Sequence, residues 1–196
     1  MQELFLQIDA FISFVLDSLG IYGPVLGCFL ILVESILPML PLSVFITLNF
    51  YTFGHLLGFV ISYILTVMGC NLAFYLSRRV LRGRFAYLVK RFDKNRALKL
   101  VEKFSSIKLS HLVTILAFPF TPAFLINIFG GVSEMSHGKF FLATALAKPF
   151  MVYFWGFLGV TLLDSLTHPE YLIKVLFLVV GAYVLSSVVN KKFDLD

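Results

Sequence analysis

A few polar side chains stand inside long apolar stretches of this 196-residue sequence, and they are the groups that could do chemistry. Glu34 precedes Pro38 by four residues, and Lys148 directly precedes Pro149. A charge at the centre of a bilayer costs about 2.5–3.5 kcal/mol, so an acid there needs a partner, water or a proton. A carboxyl group that alternates between these states can carry a proton. Glu34 is therefore a candidate proton carrier.

Glu34 also has structural explanations, which the sequence leaves open. Its carboxylate could cap backbone N–H groups freed by a helix break near Pro38, or it could pair with Lys148. Asn49 and Asn127 are further polar candidates, because each lies in an apolar stretch shortly before a glycine. We therefore predict a substrate or proton pathway lined by Glu34, Asn49, Asn127 and Lys148.

The histidines and cysteines do not form the patterns of an enzyme or a metal centre. The four histidines are scattered without the His-x-x-x-His spacing of a metal site, and the sequence has no Gly-x-Ser-x-Gly motif. Cys28 and Cys70 lie inside apolar segments, and we interpret them as small packing residues. We therefore expect no enzymatic activity, no catalytic residue, no metal and no cofactor.

The composition predicts an all-α integral membrane protein. Hydrophobic residues make up 59% of the chain and charged residues 14%, and the mean hydropathy is +0.93. The 43 residues between Glu34 and Arg78 contain no Asp, Glu, Lys or Arg. Because about 20 apolar residues cross a bilayer as a helix, this stretch is long enough to cross more than once.

The basic residues are concentrated in one segment. Eleven of the sixteen Lys and Arg residues fall within residues 78–108, which the positive-inside rule makes a cytoplasmic loop. Its inner part, residues 94–104, has the apolar spacing of an amphipathic helix on the inner leaflet. The positions of these charges favour membrane lipids as partners rather than nucleic acid. The residues expected to contact lipid head groups are Arg78, Arg79, Arg82 and Arg84.

Two proline pairs interrupt two further apolar regions. Pro38 and Pro41 lie within residues 21–51, and Pro119 and Pro122 lie within residues 109–131. A proline inside a helix removes a backbone hydrogen bond and costs about 3 kcal/mol or more. Each region is therefore predicted to be a re-entrant hairpin with the proline pair at its tip.

The remaining apolar segments are predicted to be full spans, residues 54–77, 138–163 and 171–190. If both ends of the first hairpin lie outside and both ends of the second lie inside, the two basic segments lie in the cytoplasm. These segments are residues 78–108 and the C-terminal Lys191 and Lys192. Two kinked but complete helices in place of the hairpins are the alternative. Residues 1–20 form either an amphipathic surface helix or a short first span.

The two halves form a weak internal repeat. Pro38-Met-Leu-Pro41 recurs in form as Pro119-Phe-Thr-Pro122, and an asparagine, a glycine and a long span follow each pair. Because the two hairpins are predicted to open on opposite sides, the halves form an inverted repeat. Inverted repeats with broken helices that meet near the midplane build the substrate site of many secondary transporters.

Two runs of residues also carry a resemblance to a known family. The first is Glu34-Ser-Ile-Leu-Pro38-Met-Leu-Pro41 followed by Phe53-Gly54, and the second is Pro119-Phe-Thr-Pro122 followed by Asn127 and Gly130-Gly131. In order and spacing they resemble the DedA superfamily of VTT-domain (SNARE-associated Golgi protein-like) membrane proteins, especially its Tvp-like bacterial branch. The resembling domain spans about residues 21–165.

The resemblance implies paired re-entrant hairpins and a role in moving phospholipids or polyprenyl phosphate carriers across the bacterial cytoplasmic membrane, coupled to protons. It implies that Glu34 is the intramembrane acid. The sequence departs from the family in one respect, because members usually have an arginine just before the second proline pair and residues 115–118 contain none. Lys148 is then a substitute point charge, or the substrate differs or transport is lost.

Two functional hypotheses follow from these features. The leading one is a lipid or lipid-phosphate translocator, in which the facing hairpins form a polar groove and Glu34 gates or couples it. The alternative is a non-transporting membrane protein that binds a partner through its basic cytoplasmic loop. The two differ in whether Glu34 or the loop is required for function.

Overall fold

A computed structural model of the protein describes residues 22–37, 42–83, 85, 101–119, 121–165, 171, 173, 175–177 and 179–181. These residues are predominantly helical and contain no strand, in agreement with the predicted all-α class. Residues 101–106 are also helical. The helices are α1 (Tyr22–Ile36), α2 (Leu42–Leu76) continued by a π-helix (Ser77–Leu81), α3 (Leu109–Ala117), α4 (Ala123–Val132) and α5 (His137–Asp164).

Helix α2 consists of two helices that reverse direction at Gly54. Gly54 has φ 77° and ψ 171°, a backbone conformation open essentially only to glycine. The side-chain amide of Asn49 donates a hydrogen bond of 3.1 Å to Ser62 Oγ, 13 residues away. Residues with this separation in one straight helix lie about 20 Å apart. The chain therefore folds back, and we call residues 42–53 the short arm and residues 55–76 the long arm of α2.

Helix α1 packs against the short arm of α2. Cys28 Sγ lies 4.0 Å from Asn49 Oδ1, and a Cβ added at Gly27 would lie 3.1 Å from Leu48 Cδ2. Helix α1 has 15 residues, which span only about 22 Å against a hydrocarbon core of about 30 Å. As far as the structure describes them, helix α1 and the short arm are therefore each too short to cross a bilayer.

The second half begins with two helices separated by the second proline pair. Helix α3 has 9 residues and helix α4 has 10. The helix break predicted from Pro119 and Pro122 is present, since Phe118 has the extended backbone that a residue before proline favours. A connector of four residues, 133–136, then leads into the long helix α5. Each half thus contains two short helices followed by a long one.

A Cβ added at Gly58 would lie 2.5 Å from the carbonyl oxygen of Asn49, so glycine is required where the two arms of α2 cross.

The interior has two apolar clusters, one toward each end of the long helices. The first cluster contains Cys70, Phe74, Leu112, Leu116, Ile126, Met135, Phe140, Ala143 and Ala147. The second contains Ile31, Leu42, Phe45, Ile46, Phe50, Met151 and Val152.

The outer surface of the long helices is apolar. Large hydrophobic side chains are exposed at a spacing of about four residues along the long arm of α2, and soluble proteins rarely expose such continuous surface. Within the described residues, the helical stretches long and apolar enough to cross a membrane are Leu42–Leu81, which includes the reversal at Gly54, and His137–Leu162. The exposed residues on the long arm are Val60, Ile64, Met68 and Leu72, and those on α5 include Leu146, Phe150 and Tyr153.

The helix bounds compare closely with the intervals assigned from sequence. The predicted span 54–77 coincides with the long arm of α2, although a π-helix carries the chain on to Leu81. Helix α5 extends one residue beyond the predicted span 138–163 at each end. The assignments for residues 1–20, the tip at Pro38 and Pro41, residues 86–100 of the basic loop and most of residues 171–190 lie outside the described residues.

Candidate substrate cavity

A cavity of about 350 Å³ lies where the two helix breaks approach each other. It is bordered by α1, by the first residues of α2 and α4, by the second proline pair and by the middle of α5. It also touches both apolar clusters, through Cys70 and Met151. The lining residues are Glu34, Ser35, Leu42, Ser43, Thr66, Cys70, Pro119, Thr121, Pro122, Ala123, Phe124, Asn127, Lys148, Met151 and Trp155.

Lys148 is completely withdrawn from solvent, with 0% of its surface exposed. Among the described residues, the acceptor on its Nζ is Met151 Sδ at 3.1 Å, and a thioether is a weak acceptor for an ammonium group. A buried ammonium is costly unless a negative group or strong acceptors surround it. Lys148 is therefore a buried amine that faces the cavity, and the described part of the chain supplies no oxygen ligand to its Nζ.

Glu34 reaches the same cavity from α1 and is partly buried. Its carboxylate is near enough to Lys148 to interact electrostatically, but no nitrogen–oxygen contact within 4.0 Å joins the two side chains. The direct ion pair considered from sequence is therefore not formed. Both side chains line the cavity.

Asn127 and Asn49 have different surroundings, although they occupy similar positions in the two halves. Asn127 lines the cavity, and its amide donates to Ser35 O at 3.3 Å, but its Oδ1 is buried without a hydrogen-bond partner. Asn49 instead lies between Cys28 and Ser62, away from the cavity lining, and has partners at both ends of its amide. The structure thus brings Glu34, Asn127 and Lys148 to one cavity and leaves Asn49 outside it.

Two helices begin at the cavity wall. Leu42 and Ser43 are the first residues of α2, and Ala123 and Phe124 are the first residues of α4. No side chain caps the N-terminus of α4, where Pro122 occupies the cap position. The unpaired N–H groups of a helix N-terminus act like about half a positive charge. The N-terminus of α4 therefore adds a partial positive charge to the cavity wall, on the side of Asn127.

The arginines at the end of α2, Arg78, Arg79 and Arg82, are absent from the described lining of the cavity. Arg78 donates to the carbonyl oxygens of Gly131 at 3.0 Å, Gly130 at 3.4 Å, Ser133 at 3.0 Å and also Met135. Its guanidinium carbon lies 4.6 Å from the centre of the Phe74 ring. These contacts attach the end of α4 and the connector 133–136 to α2, a structural role that the sequence did not reveal.

The neighbouring arginines have looser contacts. Arg79 donates to the Tyr75 hydroxyl at 2.9 Å, and Arg82 lies 3.5 Å from the exposed carboxylate of Glu134. An exposed ion pair of this kind contributes little to stability. Head-group contact by these arginines stays a prediction, and Arg84 lies outside the described residues.

Several cavity residues were not identified from the sequence. Ser35, Thr66 and Thr121 are ordinary hydroxyl residues in apolar stretches, so only their placement distinguishes them. Trp155 is the one tryptophan of the chain and lines the cavity beside Met151. That single aromatic side chain was the available signal, but a lone tryptophan in a predicted span usually has a packing or interfacial role.

A second cavity, of about 500 Å³, lies near the reversal at Gly54. Its described lining is mostly aromatic and aliphatic, and includes Phe50, Phe59 and Phe157. His55, Asp164 and Tyr171 contribute polar groups. The candidate residues assigned from sequence are absent from its described lining.

Comparison with known proteins identifies the family. The VTT domain matches residues 40–161. Over 170 residues the chain is 32% identical to the "Uncharacterized membrane protein YhjE" of Bacillus subtilis (strain 168), a match that covers 86% of this chain and 81% of that protein. No solved structure matches the chain significantly. The resemblance noted in the sequence is thereby confirmed, and the chain belongs to the VTT-domain family of membrane proteins, the DedA family.

Proposed function

We propose that this protein moves a lipid or a lipid phosphate across the bacterial cytoplasmic membrane, through the cavity between its two broken helical pairs, and that it acts as a transporter rather than an enzyme. The observation that carries the proposal is the cavity itself. It combines an acid, a fully buried lysine and an unpartnered amide oxygen at the level of two helix breaks. Polar groups at such depth are costly, and they are retained where a substrate or an ion passes.

The proposed topology places the two short helical pairs as re-entrant hairpins that open on opposite sides. In the described part of the chain, helices α1, α3 and α4 have 15, 9 and 10 residues, all shorter than the 20 or so that a crossing needs. The described non-helical residues between α3 and α4, Pro119, Thr121 and Pro122, line the cavity, and such a position is where broken helices are tolerated at membrane depth. The long arm of α2 and helix α5 then supply full spans, with the basic loop and the C-terminus in the cytoplasm.

Glu34 is the proposed coupling residue. It borders the cavity without a direct ion pair to Lys148, so its carboxyl group has room for water, substrate or a proton. A carboxyl group that must be neutral in a dry cavity and charged in a wet one links the movement of a proton to the movement of substrate. Proton coupling is therefore part of the proposal.

A lipid-translocation assay in proteoliposomes tests this function. Full-length protein is reconstituted with a fluorescent phospholipid and, separately, with a fluorescent polyprenyl phosphate, and movement between leaflets is followed by quenching from outside. Wild type should exceed protein-free liposomes for at least one lipid, and Glu34→Gln should lose that excess. Glu134→Gln is the matched control, because Glu134 is an exposed glutamate whose contact with Arg82 is weak.

The two possible negative results have different meanings. If wild type never exceeds protein-free liposomes for any lipid tested, translocation is wrong, and the alternative role of the basic loop 78–108 in binding a partner becomes the better hypothesis. If wild type moves lipid and Glu34→Gln moves it equally well, only the role of Glu34 is wrong.

A further inference from the structure

We infer that Tyr63, on the long arm of α2, positions Lys148 in the cavity. It does so through the carbonyl group of Ala145, which Pro149 leaves without its helical hydrogen bond. The inference gives a role in the cavity to a residue that is absent from its described lining. It rests on the proposed function in one respect, since it treats Lys148 as one of the working groups of the cavity.

Pro149 lies in the interior of α5, where a proline interrupts the backbone hydrogen bonds. A proline has no N–H group, and its ring also crowds the carbonyl group four residues earlier, which here is that of Ala145. The hydroxyl group of Tyr63 donates a hydrogen bond of 3.0 Å to that same carbonyl oxygen. At membrane depth a neighbouring helix is a common source of the donor that a proline removes. Tyr63 therefore supplies the hydrogen bond that Pro149 cannot make.

The long arm of α2 holds this part of α5 at two consecutive residues. The Tyr63 ring, which reaches Ala145, is stacked with the ring of Phe59, with centroids 6.3 Å apart and planes inclined by 9°. Further along the long arm, the side-chain amide of Asn71 donates to Thr144 Oγ1 at 3.1 Å. Both contacts lie within about one helical turn of Lys148. The backbone that carries Lys148 is thus attached to the long arm directly before the proline.

Lys148 lies where the packing partner of α5 changes. Before it, α5 packs on the long arm, and the ring of Phe140 stacks on that of Phe74 with centroids 4.2 Å apart. After it, α5 packs on the short arm, where a Cβ added at Gly156 would collide with an aromatic ring. The residue before a proline also disfavours the helical conformation that Lys148 adopts. Contacts with neighbouring helices therefore maintain the orientation of Lys148, and the hydrogen bond from Tyr63 is the contact that compensates for the proline.

A double-mutant cycle tests the pairing between the tyrosine and the proline. Tyr63→Phe keeps the ring and removes the donor, so it should raise the equilibrium constant of unfolding about tenfold or more. Pro149→Ala returns an N–H group to the helix, and in that background Tyr63→Phe should change the constant by less than about threefold. The measurement is unfolding of the purified full-length protein by sodium dodecyl sulfate in mixed micelles. Tyr51→Phe is the matched control, because Tyr51 is an exposed tyrosine of the short arm.

Thiol reactivity tests whether the pairing positions residue 148. Lys148→Cys, in a background with both native cysteines replaced by alanine, is treated with a small water-soluble methanethiosulfonate. It should react slowly, since this position is fully buried. Adding Tyr63→Phe should speed the reaction several-fold, and adding Pro149→Ala as well should restore the slow rate. Ala143→Cys is the matched control, because Ala143 is equally buried on the same helix and should stay slow throughout.

Trp155 gives the same comparison with the lysine in place. It is the one tryptophan of the chain, it lines the cavity, and it lies on α5 beyond the proline. Quenching of its emission by acrylamide should differ from wild type in Tyr63→Phe. The quenching should return to the wild-type value in the double variant Tyr63→Phe/Pro149→Ala.

Each contrary result overturns a defined part of the inference. An equal cost of Tyr63→Phe with and without Pro149 overturns the pairing. Unchanged reactivity at Lys148→Cys, an equal rise at Ala143→Cys, or unchanged quenching of Trp155 overturns the positioning. If Tyr63→Phe alone does not fold, folding of the double variant supports the pairing and failure of both overturns it. None of these measurements involves lipid movement, so a wild-type protein that moves no lipid refutes the proposed function and leaves the role of Tyr63 standing.

Discussion

The side-chain amide of Asn49 donates a hydrogen bond of 3.1 Å to the hydroxyl of Ser62, although 13 residues separate them in what is otherwise a run of helix. The contact exists because the chain reverses at Gly54. It joins the short arm of α2 to the long arm, and thereby attaches the first helical pair to the element proposed as the first full span. The site depends on this reversal, since the short arm begins at the cavity and the long arm also borders it through Thr66 and Cys70.

Replacing Gly54 with alanine should destabilise the protein by about 1–3 kcal/mol, because the backbone there is in a region that a side chain disfavours. Thermal unfolding in detergent measures the effect. Gly138→Ala is the control, since Gly138 has open space around its Cβ position and no positive φ. An equal midpoint for Gly54→Ala and wild type would contradict the reversal.

The two asparagines should respond differently to leucine. Asn49→Leu removes the partner of the buried Ser62 hydroxyl and should cost about 1–3 kcal/mol of unfolding free energy. Asn127→Leu removes an oxygen that has no hydrogen-bond partner, and one long hydrogen bond from the amide nitrogen to Ser35 O. Its loss of unfolding free energy should therefore be smaller. Unfolding curves of the two variants, measured side by side, test which one loses more stability. Asn127→Leu should also reduce the movement of lipid in proteoliposomes. A larger loss of stability for Asn127→Leu would refute the distinction.

Arg78→Lys should lower stability by about 1.5–3 kcal/mol. The lysine keeps the charge but cannot reproduce the forked contacts with the carbonyl oxygens of Gly131, Ser133 and Met135. Arg79→Lys should change the unfolding midpoint little, because the contact of Arg79 within the described residues, with the Tyr75 hydroxyl, is exposed. Similar losses for the two variants would mean that the contacts of Arg78 are not a major source of stability.

Cysteine labelling should place the reversal at Gly54 and the connector 133–136 on opposite sides of the membrane. Single cysteines at Thr52 and Glu134, in a background with Cys28 and Cys70 replaced by alanine, are treated with a membrane-impermeant maleimide. Both positions are exposed in the structure. In intact cells Thr52→Cys should react and Glu134→Cys should not, whereas inside-out vesicles should give the opposite result. Reaction of both cysteines from the same side would exclude the opposed hairpins.

Much of the helical organisation could be predicted from local features of the sequence. Helix α5 and the long arm of α2 follow from uninterrupted apolar runs, and the break between α3 and α4 follows from Pro119 and Pro122. Gly54 marked the boundary between the first hairpin and the first span. The membrane family was also recognisable, because the two proline pairs and their following glycines stand in a characteristic order.

The surroundings of individual polar groups could not be predicted in the same way. Asn49 and Asn127 look equivalent in the repeat, yet one has partners within its own helical pair and the other lines the cavity. Arg78 looked like one of several lipid-facing arginines, but carbonyl groups more than 50 residues away surround its guanidinium. Such partners come from distant segments, so no local spacing reveals them.

By itself, the sequence determined which segments are apolar, where their helices break and which few polar residues they contain, because hydrophobicity and the geometry of proline and glycine act within a few residues along the chain. Only the tertiary structure decided that Glu34, Asn127 and Lys148 share a cavity with two helix N-termini while Asn49 does not. The physical reason is that the field at a buried charge depends on groups close in space, and these groups come from α1, α2, α4 and α5.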